Sequence, residues 1–423
     1  MENKSKIPMD KRQSWTSLAM IWIGSMICVP CLMIGGLLAG GFSLNGVILN
    51  TIIGYGIVCL YMCFMGMEAC DTGKTTVEMA ADVLGAKGGQ YVISLMLGIA
   101  CIGWFGIQSA VCGSSFSSMI ASFTGIQIPV WISTAIWGVL MVVTAAYGYK
   151  GLKILNYVAV PALLIVIVYG VVKALGGNGG IAPVMNYTPA APMGLVTGIS
   201  LTVATFALGG VISGDYSRFA KNRGDVVKST VFGVIPIGIV MISLGAVLTM
   251  VTGKYDISAV LVSVGVPAFG LIALILATWT TNVTNAYSGG LAIGNLFGTG
   301  EGKFKFTTVV AGGVGTILGA VGLLGHFQGF LSILTAFIPP IAGVVITSYW
   351  IIGKGKGENK VQNKGVDIIG LVSFLLGAVV AYYTGSIKVF LVSPINGIIV
   401  SGLCYFVLTK VSLSRATTVA EAE

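Results

Sequence analysis

"MIWIGSMICVPCLMIGGLLAGG", residues 20–41, is long and apolar enough to cross a bilayer, yet it is interrupted in its middle. Pro30 supplies no backbone N–H and crowds the turn before it. Gly35 and Gly36 loosen the chain just beyond. A second stretch, "LTVATFALGGVISGDYSRF" (201–219), carries Gly209 and Gly210 in mid-run and Gly214 close behind. What these two interruptions mean depends on how many spans lie between them.

Of 423 residues, 56% are hydrophobic and only 9% are charged. Soluble domains carry about 25% charged residues, so a chain this apolar cannot cover its surface in water. It is expected to be an integral membrane protein. Spans need about 20 apolar residues, and candidates fall at roughly 15–40, 45–67, 91–120, 128–147, 152–174, 195–215, 228–252, 265–297, 306–325, 329–352, 367–385 and 389–409. A backbone in lipid must satisfy its own hydrogen bonds, and barrel strands would alternate polar with apolar residues. The expectation is therefore an all-α membrane protein of twelve transmembrane helices.

Charge placement tests that map. With both termini cytoplasmic, the tails (1–14 and 411–423) and the even-to-odd loops hold every Lys and Arg except Lys173, Lys254 and Lys388, out of 23. That is the positive-inside pattern, and one span more or fewer would scramble it. The Gly-rich charged loop 353–366 separates a ten-span core, 15–352, from spans eleven and twelve at 367–410. The first residues, "MENKSKIPMDKRQ", are too polar for a signal peptide, so the first apolar run is expected to be retained.

Other features exclude function classes. The net charge of +9 lies in short loops rather than on one aromatic-interleaved face, which argues against nucleic-acid binding. The eight cysteines fall almost wholly inside apolar runs and read as small hydrophobes. "CVPC" (28–31) has redox spacing but lacks the βαβ context of a redox enzyme. His326 is the only histidine and cannot build a zinc site alone. The glycosylation-type triplets at Asn186 and Asn282 carry little weight, because the second lies in a span. None of the 14 acidic residues sits at the centre of a span, so no obvious proton carrier exists. A neutral substrate and a cation held by neutral oxygens fit better.

Spans one and six are corresponding members of two five-helix halves. Paired interruptions at corresponding positions point to a binding site in an inverted-repeat transporter. Glycine and proline also serve close packing in membrane helices, and each break taken alone reads that way as well.

The eighth span supplies a further signal. "ATWTTNVTNAYSGG" (277–290) places eight polar side chains between Thr278 and Ser288. Against lipid, each would cost about 1–3 kcal/mol if unpaired. On a helix, Ala277, Thr280, Thr281, Thr284 and Ser288 share a face, flanked by Asn282 and Asn285. A lone threonine usually bonds its own i−4 carbonyl, and Thr278 reads as such a case. The adjacent hydroxyls of Thr280 and Thr281, with carbonyls freed at the break in span one, suit a hard monovalent cation such as Na⁺. In span three, "CIGWFGIQSAVCG" (101–113) puts Trp104 and Gln108 on one face. The indole offers a stacking plate worth about 1–3 kcal/mol to a flat heterocycle. The amide can read a hydrogen-bonding edge, and Phe206 could be the opposing plate. Asp215, Arg218 and Arg223, just past span six, read either as an inner-gate ion-pair network or as ordinary loop charge.

"GWFG" (103–106), "SGDYSRFAKN" (213–222), "WTTN" (279–282) and "IPPIAGVVITSYW" (338–350) resemble blocks of the bacterial cytosine permeases of the nucleobase:cation symporter-1 family. The resemblance runs from about residue 14 to about residue 410. It implies a LeuT-type 5+5 inverted repeat plus two C-terminal helices, and Na⁺-coupled import of a nucleobase, cytosine foremost, across a bacterial inner membrane. It further implies a Na⁺ site of carbonyls near Gly24 and Ile27 or Cys28, the Ala277 carbonyl, and the Thr280 and Thr281 hydroxyls. The base would lie between Trp104 and Phe206, with polar contacts near Thr205, Asn282 and Asn285. Cytosine permeases usually carry Asp where Val283 stands and often Gln where Cys101 stands. Gln108 instead resembles the hydantoin transporters of the family, so another planar heterocycle (purine, uracil, hydantoin or hydroxymethylpyrimidine) stays open as substrate, as does H⁺ coupling. The expected particle is a monomer, not an enzyme, with no cofactor besides Na⁺ as coupling ion. A passive channel would need a continuous polar stripe, and an embedded enzyme a catalytic set that the spans lack.

Overall fold

The computed structural model describes residues 7–147, 152–254, 257–266, 268–299, 301–356 and 363–420. The ends of both expected tails, the middle of the expected loop at 353–366, and Lys150 lie outside the described residues. The helices are α1 (Trp15–Met26), α2 (Val29–Ala39), α3 (Leu44–Thr72), α4 (Thr76–Leu84), α5 (Ala86–Thr124), α6 (Val130–Tyr147), α7 (Leu152–Gly177), α8 (Ala182–Met185) and α9 (Leu195–Val211). They continue as α10 (Gly214–Ser217), α11 (Arg223–Thr252), α12 (Ile257–Ser263), α13 (Ala268–Phe297), α14 (Phe304–Ala320), α15 (Phe327–Phe337), α16 (Pro339–Ile346), α17 (Ile368–Tyr382) and α18 (Ser393–Ala420). Among the described residues the only isolated β pairing is a parallel bridge between Gln13 and Ala220.

Among the described residues eight helices are long and apolar enough to cross a membrane, and the bent pair α1–α2 makes a ninth. Helices occupy the other three expected positions, but α9 and α14 are shorter and the 30-residue α13 is diluted by its polar run. Length and apolarity alone therefore qualify eight or nine of the twelve expected spans.

The first interruption is a real break. Between α1 and α2 the axis turns by 58°. Ile27 (ψ 78°) leaves helical geometry and Cys28 is fully extended (φ −145°, ψ 157°). Pro30 sits in the first turn of α2, where its missing N–H costs nothing, so it opens the second half-helix. Gly35 is no hinge: a Cβ there would strike the backbone of α11 at Ile242. It lets two helices touch backbone to backbone, and Gly245 does the same from α11 against Leu32. The second interruption falls one turn earlier than the glycines suggest. Phe206 leaves helical geometry (φ −126°, ψ 17°), while Gly209 and Gly210 remain helical and receive the rings of Phe206 and Tyr61.

Packing sorts the spans into two groups. In one, α1, α2, α3, α9 and α11 pack together, which unites spans one, two, six and seven. In the other, α5, α6, α13 and α14 unite spans three, four, eight and nine, with α5 against α13 the most extensive pairing. Each group takes the same members from both halves of the chain, as an inverted repeat requires. Helix α7 touches both groups through α11 and α13; α15 touches them through α9 and α5. The α17–α18 pair packs on α16 outside this core.

Candidate functional site

The polar run of α13 is ordered by its own backbone first. Thr280 Oγ donates to the Ala277 carbonyl at 3.1 Å and Thr281 Oγ to the same carbonyl at 2.9 Å. Three uncharged oxygens thus meet in one turn, and each hydroxyl, its proton spent, keeps lone pairs for a cation. Thr278 bonds back to Leu274 and Ile275, and Thr284 lies exposed on the same helix. At the break, Ile27 N–H donates to Ile23, Cys28 N–H to Met26 and Cys31 N–H to Cys28, so among the described residues no backbone N–H is recorded on the carbonyls of Gly24 and Ile27. The Cys28 carbonyl, by contrast, accepts from Cys31 N–H at 3.2 Å. No described hydrogen bond joins the break to the threonine turn.

The aromatic residues are placed differently from one facing pair. Trp104 meets Phe327 and Phe330 of α15 edge-on, at 5.9 and 5.2 Å between ring centres. Phe206 meets Trp22 edge-on at 6.2 Å. Trp104 and Phe206 make no described ring contact with each other. One turn from Trp104, Gln108 is 2% exposed and its Oε1 has no hydrogen-bond partner among the described residues. An unpaired buried amide oxygen costs about 1–3 kcal/mol. Thr205, just before the kink, spends its hydroxyl on the Leu201 and Thr202 carbonyls.

Asn282 is turned away from such a role. Its Nδ2 lies 2.9 Å from both the Phe105 carbonyl and Ser109 Oγ and 3.2 Å from Met141 Sδ, and its Oδ1 accepts from Asn285 Nδ2 at 3.1 Å. It clamps α13 to α5 and α6. Val283 beside it is fully buried in an apolar cluster with Phe105, Met141 and Ile275. Cys101 is likewise buried.

Asp215 and Arg218 form no ion pair among the described residues. Asp215 Oδ1 accepts from Thr76 N–H at 2.8 Å, which fastens α10 to the start of α4. The Arg218 guanidinium lies 4.9 Å over Phe219 with a buried, unpartnered Nε. Arg223 pairs instead with Asp71, at 2.6 Å between Nη2 and Oδ2. Tyr349 donates to the same carboxylate at 2.8 Å, and Arg223 stacks 4.7 Å over Trp350. Tyr349 and Trp350 lie in the block 338–350, but no sequence pattern pairs them with Asp71. Among the described residues no cluster of three or more His, Cys, Asp or Glu could hold a metal. Two of the four described cavities reach Phe330 beside Trp104, but none is lined by Trp104, Gln108, Phe206 or the threonine turn.

Residues 6–407 match the family described as permease for cytosine/purines, uracil, thiamine and allantoin. The chain belongs to this permease family. A cytosine permease of Escherichia coli (strain K12) is 29% identical over 420 residues, covering 99% of this chain and 96% of the relative. A hydantoin permease of Microbacterium maritypicum is 26% identical over 360 residues, covering 79% and 72%. Among solved structures, the inward-facing conformation of Mhp1 superposes with a TM-score of 0.84 at 21% identity, covering 96% of this chain and 93% of that one. The permease therefore has the LeuT-type fold, is a multi-pass membrane transporter of this permease family, and is not an enzyme.

Proposed function

We propose that this permease is a secondary active symporter that imports a neutral nucleobase, cytosine foremost, with Na⁺ as coupling ion. The observation that carries this reading is the threonine turn: the Ala277, Thr280 and Thr281 oxygens converge without a carboxylate. Two carbonyls without N–H partners among the described residues, at Gly24 and Ile27, are available to complete the cage. A carboxylate-free oxygen set suits a monovalent cation and itself contains no group to carry a proton. The substrate would rest against Trp104, with Phe206 at the kink of span six and Gln108 offering an acceptor for a ring N–H. Thr205 and Asn285 would complete the polar rim; Asn282 would hold the wall in place.

On this reading Na⁺ draws α1–α2 and α13 together and so couples the two span groups. Substrate binding is then tighter with Na⁺ bound, and Na⁺ binding tighter with substrate. Rocking of one group against the other, with α7 and α15 as the bridging elements, exposes the site to each side in turn. Residues 15–352 form the transporting core and 367–410 an outer pair. The tails 1–14 and 411–423 and the loop 353–366 face the cytoplasm of a bacterial inner membrane, and a monomer suffices.

The test is uptake of radiolabelled cytosine into proteoliposomes, with a Na⁺ gradient at fixed pH and with a pH gradient in the absence of Na⁺. Na⁺-driven uptake supports the reading; uptake driven only by the pH gradient would refute Na⁺ coupling. A second reading, transport of another planar heterocycle such as hydantoin, a purine, uracil or hydroxymethylpyrimidine, is favoured by the orphaned Gln108 amide and the apolar setting of Val283. Competition by these compounds against cytosine separates the two.

A further inference from the structure

The break in span one holds a pair of thiols that the proposed transport cycle leaves unused. Cys28 Sγ lies 3.5 Å from Cys31 Sγ, and Cys31 Sγ lies 3.8 Å from the Tyr55 hydroxyl. This is the only thiol–thiol contact among the described residues, and all eight cysteines are free. The two thiols differ in access: Cys28 is half-buried, whereas Cys31 is 2% exposed. They also differ in backbone. Cys28 is the extended residue at the bend, and Cys31 belongs to the first turn of α2.

We propose that Cys28 and Cys31 form a dithiol modification site, open to small disulfides and other thiol-bridging agents, whose closure stiffens the bend in span one. The reaction needs a low-molecular-weight disulfide, R–S–S–R, as oxidant. The Cys28 thiolate attacks one sulfur of that disulfide and expels R–S⁻. The Cys31 thiolate then attacks the Cys28 sulfur of the mixed disulfide and expels the second R–S⁻. The two thiol protons end on the two leaving groups. The dithiol loses two electrons, and the small disulfide is reduced to two thiols. No catalytic redox role is implied, because the bridge is the end product. Its effect is mechanical: it ties the extended residue of the bend to the helix that follows. The bend also carries the Gly24 and Ile27 carbonyls, so, resting on the symport reading above, the bridged protein should stop transporting.

The test uses the full-length protein in proteoliposomes with 2,2′-dithiodipyridine as the small disulfide. Cys404→Ser serves as background, because Cys404 is the other half-buried cysteine. In that background both leaving groups should be released, and intact mass should show the loss of two hydrogens with no retained adduct. Dithiothreitol should reverse the change. Adding Cys31→Ser should leave a single mixed disulfide on Cys28, and Cys59→Ser should leave the bridging unchanged. Amide hydrogen exchange over residues 24–29 should slow in the bridged form, a readout that needs no transported substrate. Absence of a bridge, or a bridge with unchanged exchange, overturns the proposal. A bridged protein that takes up cytosine as fast as the reduced one overturns the switch. If neither form takes up cytosine while bridging slows exchange, the dithiol site stands and the cytosine reading falls.

Discussion

Gln108 shows what one residue contributes. Its amide oxygen is buried without a donor among the described residues, so the protein carries the desolvation cost and gains nothing from it in the free state. A ligand with a ring N–H would recover that cost on binding. Gln108→Leu should therefore leave the melting temperature unchanged or raised while weakening substrate binding about tenfold, the loss of roughly 1.4 kcal/mol. Thermal unfolding in detergent and equilibrium binding report the two effects separately. Asn282→Ala should behave in the opposite sense, because its amide holds Phe105, Ser109 and Asn285 together. A destabilisation of about 1–3 kcal/mol is expected, whatever the substrate. Thr281→Ala removes one oxygen of the threonine turn, so substrate binding should lose its dependence on Na⁺ with little change in stability. Binding titrations in NaCl against choline chloride would measure it.

At the scale of elements, the contact between α2 and α11 is set by glycine. A Cβ on Gly35 would meet the Ile242 carbonyl, and one on Gly245 the Leu32 carbonyl. Neither neighbour is a flexible side chain that can step aside. Gly35→Ala should thus part the two helices and cost about 3 kcal/mol, the upper end for overpacking, as read by thermal unfolding. Gly56→Ala in α3 is the control, because nothing lies near its Cβ position. It should be neutral or stabilising by up to about 1 kcal/mol through helix propensity. The pair illustrates why a glycine in a membrane helix cannot be interpreted from sequence alone. The residues around Gly35 look like a hinge, but the freedom resides in Ile27 and Cys28, and the glycine is there for its neighbour.

At the scale of the molecule, the end of span ten is tied to the first span group by Asp71, Arg223, Tyr349 and Trp350. The ion pair is short at 2.6 Å but partly exposed, with 44% of the Arg223 side chain and 25% of Asp71 accessible. Exposed pairs are worth at most about 1 kcal/mol, so its role is to position rather than to stabilise. Residues 347–352 form a π-helical turn, a geometry found frequently at functional sites. Asp71→Asn should barely alter overall stability yet speed amide exchange across residues 347–355. A variant with unchanged exchange there would show that the tie does not hold span ten.

The helices, the polar run of α13 and the break just before Pro30 were legible in the sequence because they depend on local energetics. Hydropathy decides what enters lipid, proline decides where a helix can start, and the 3.6-residue period decides which side chains share a face. Sequence also placed Ala277, Thr280 and Thr281 in a single turn, as one helix suffices to bring them together. The kink at Phe206, the clamp of Asn282 and the pairing of Arg223 with Asp71 rather than Asp215 were decided by tertiary structure. Each depends on which groups of another helix lie within reach, a long-range property that no local pattern encodes.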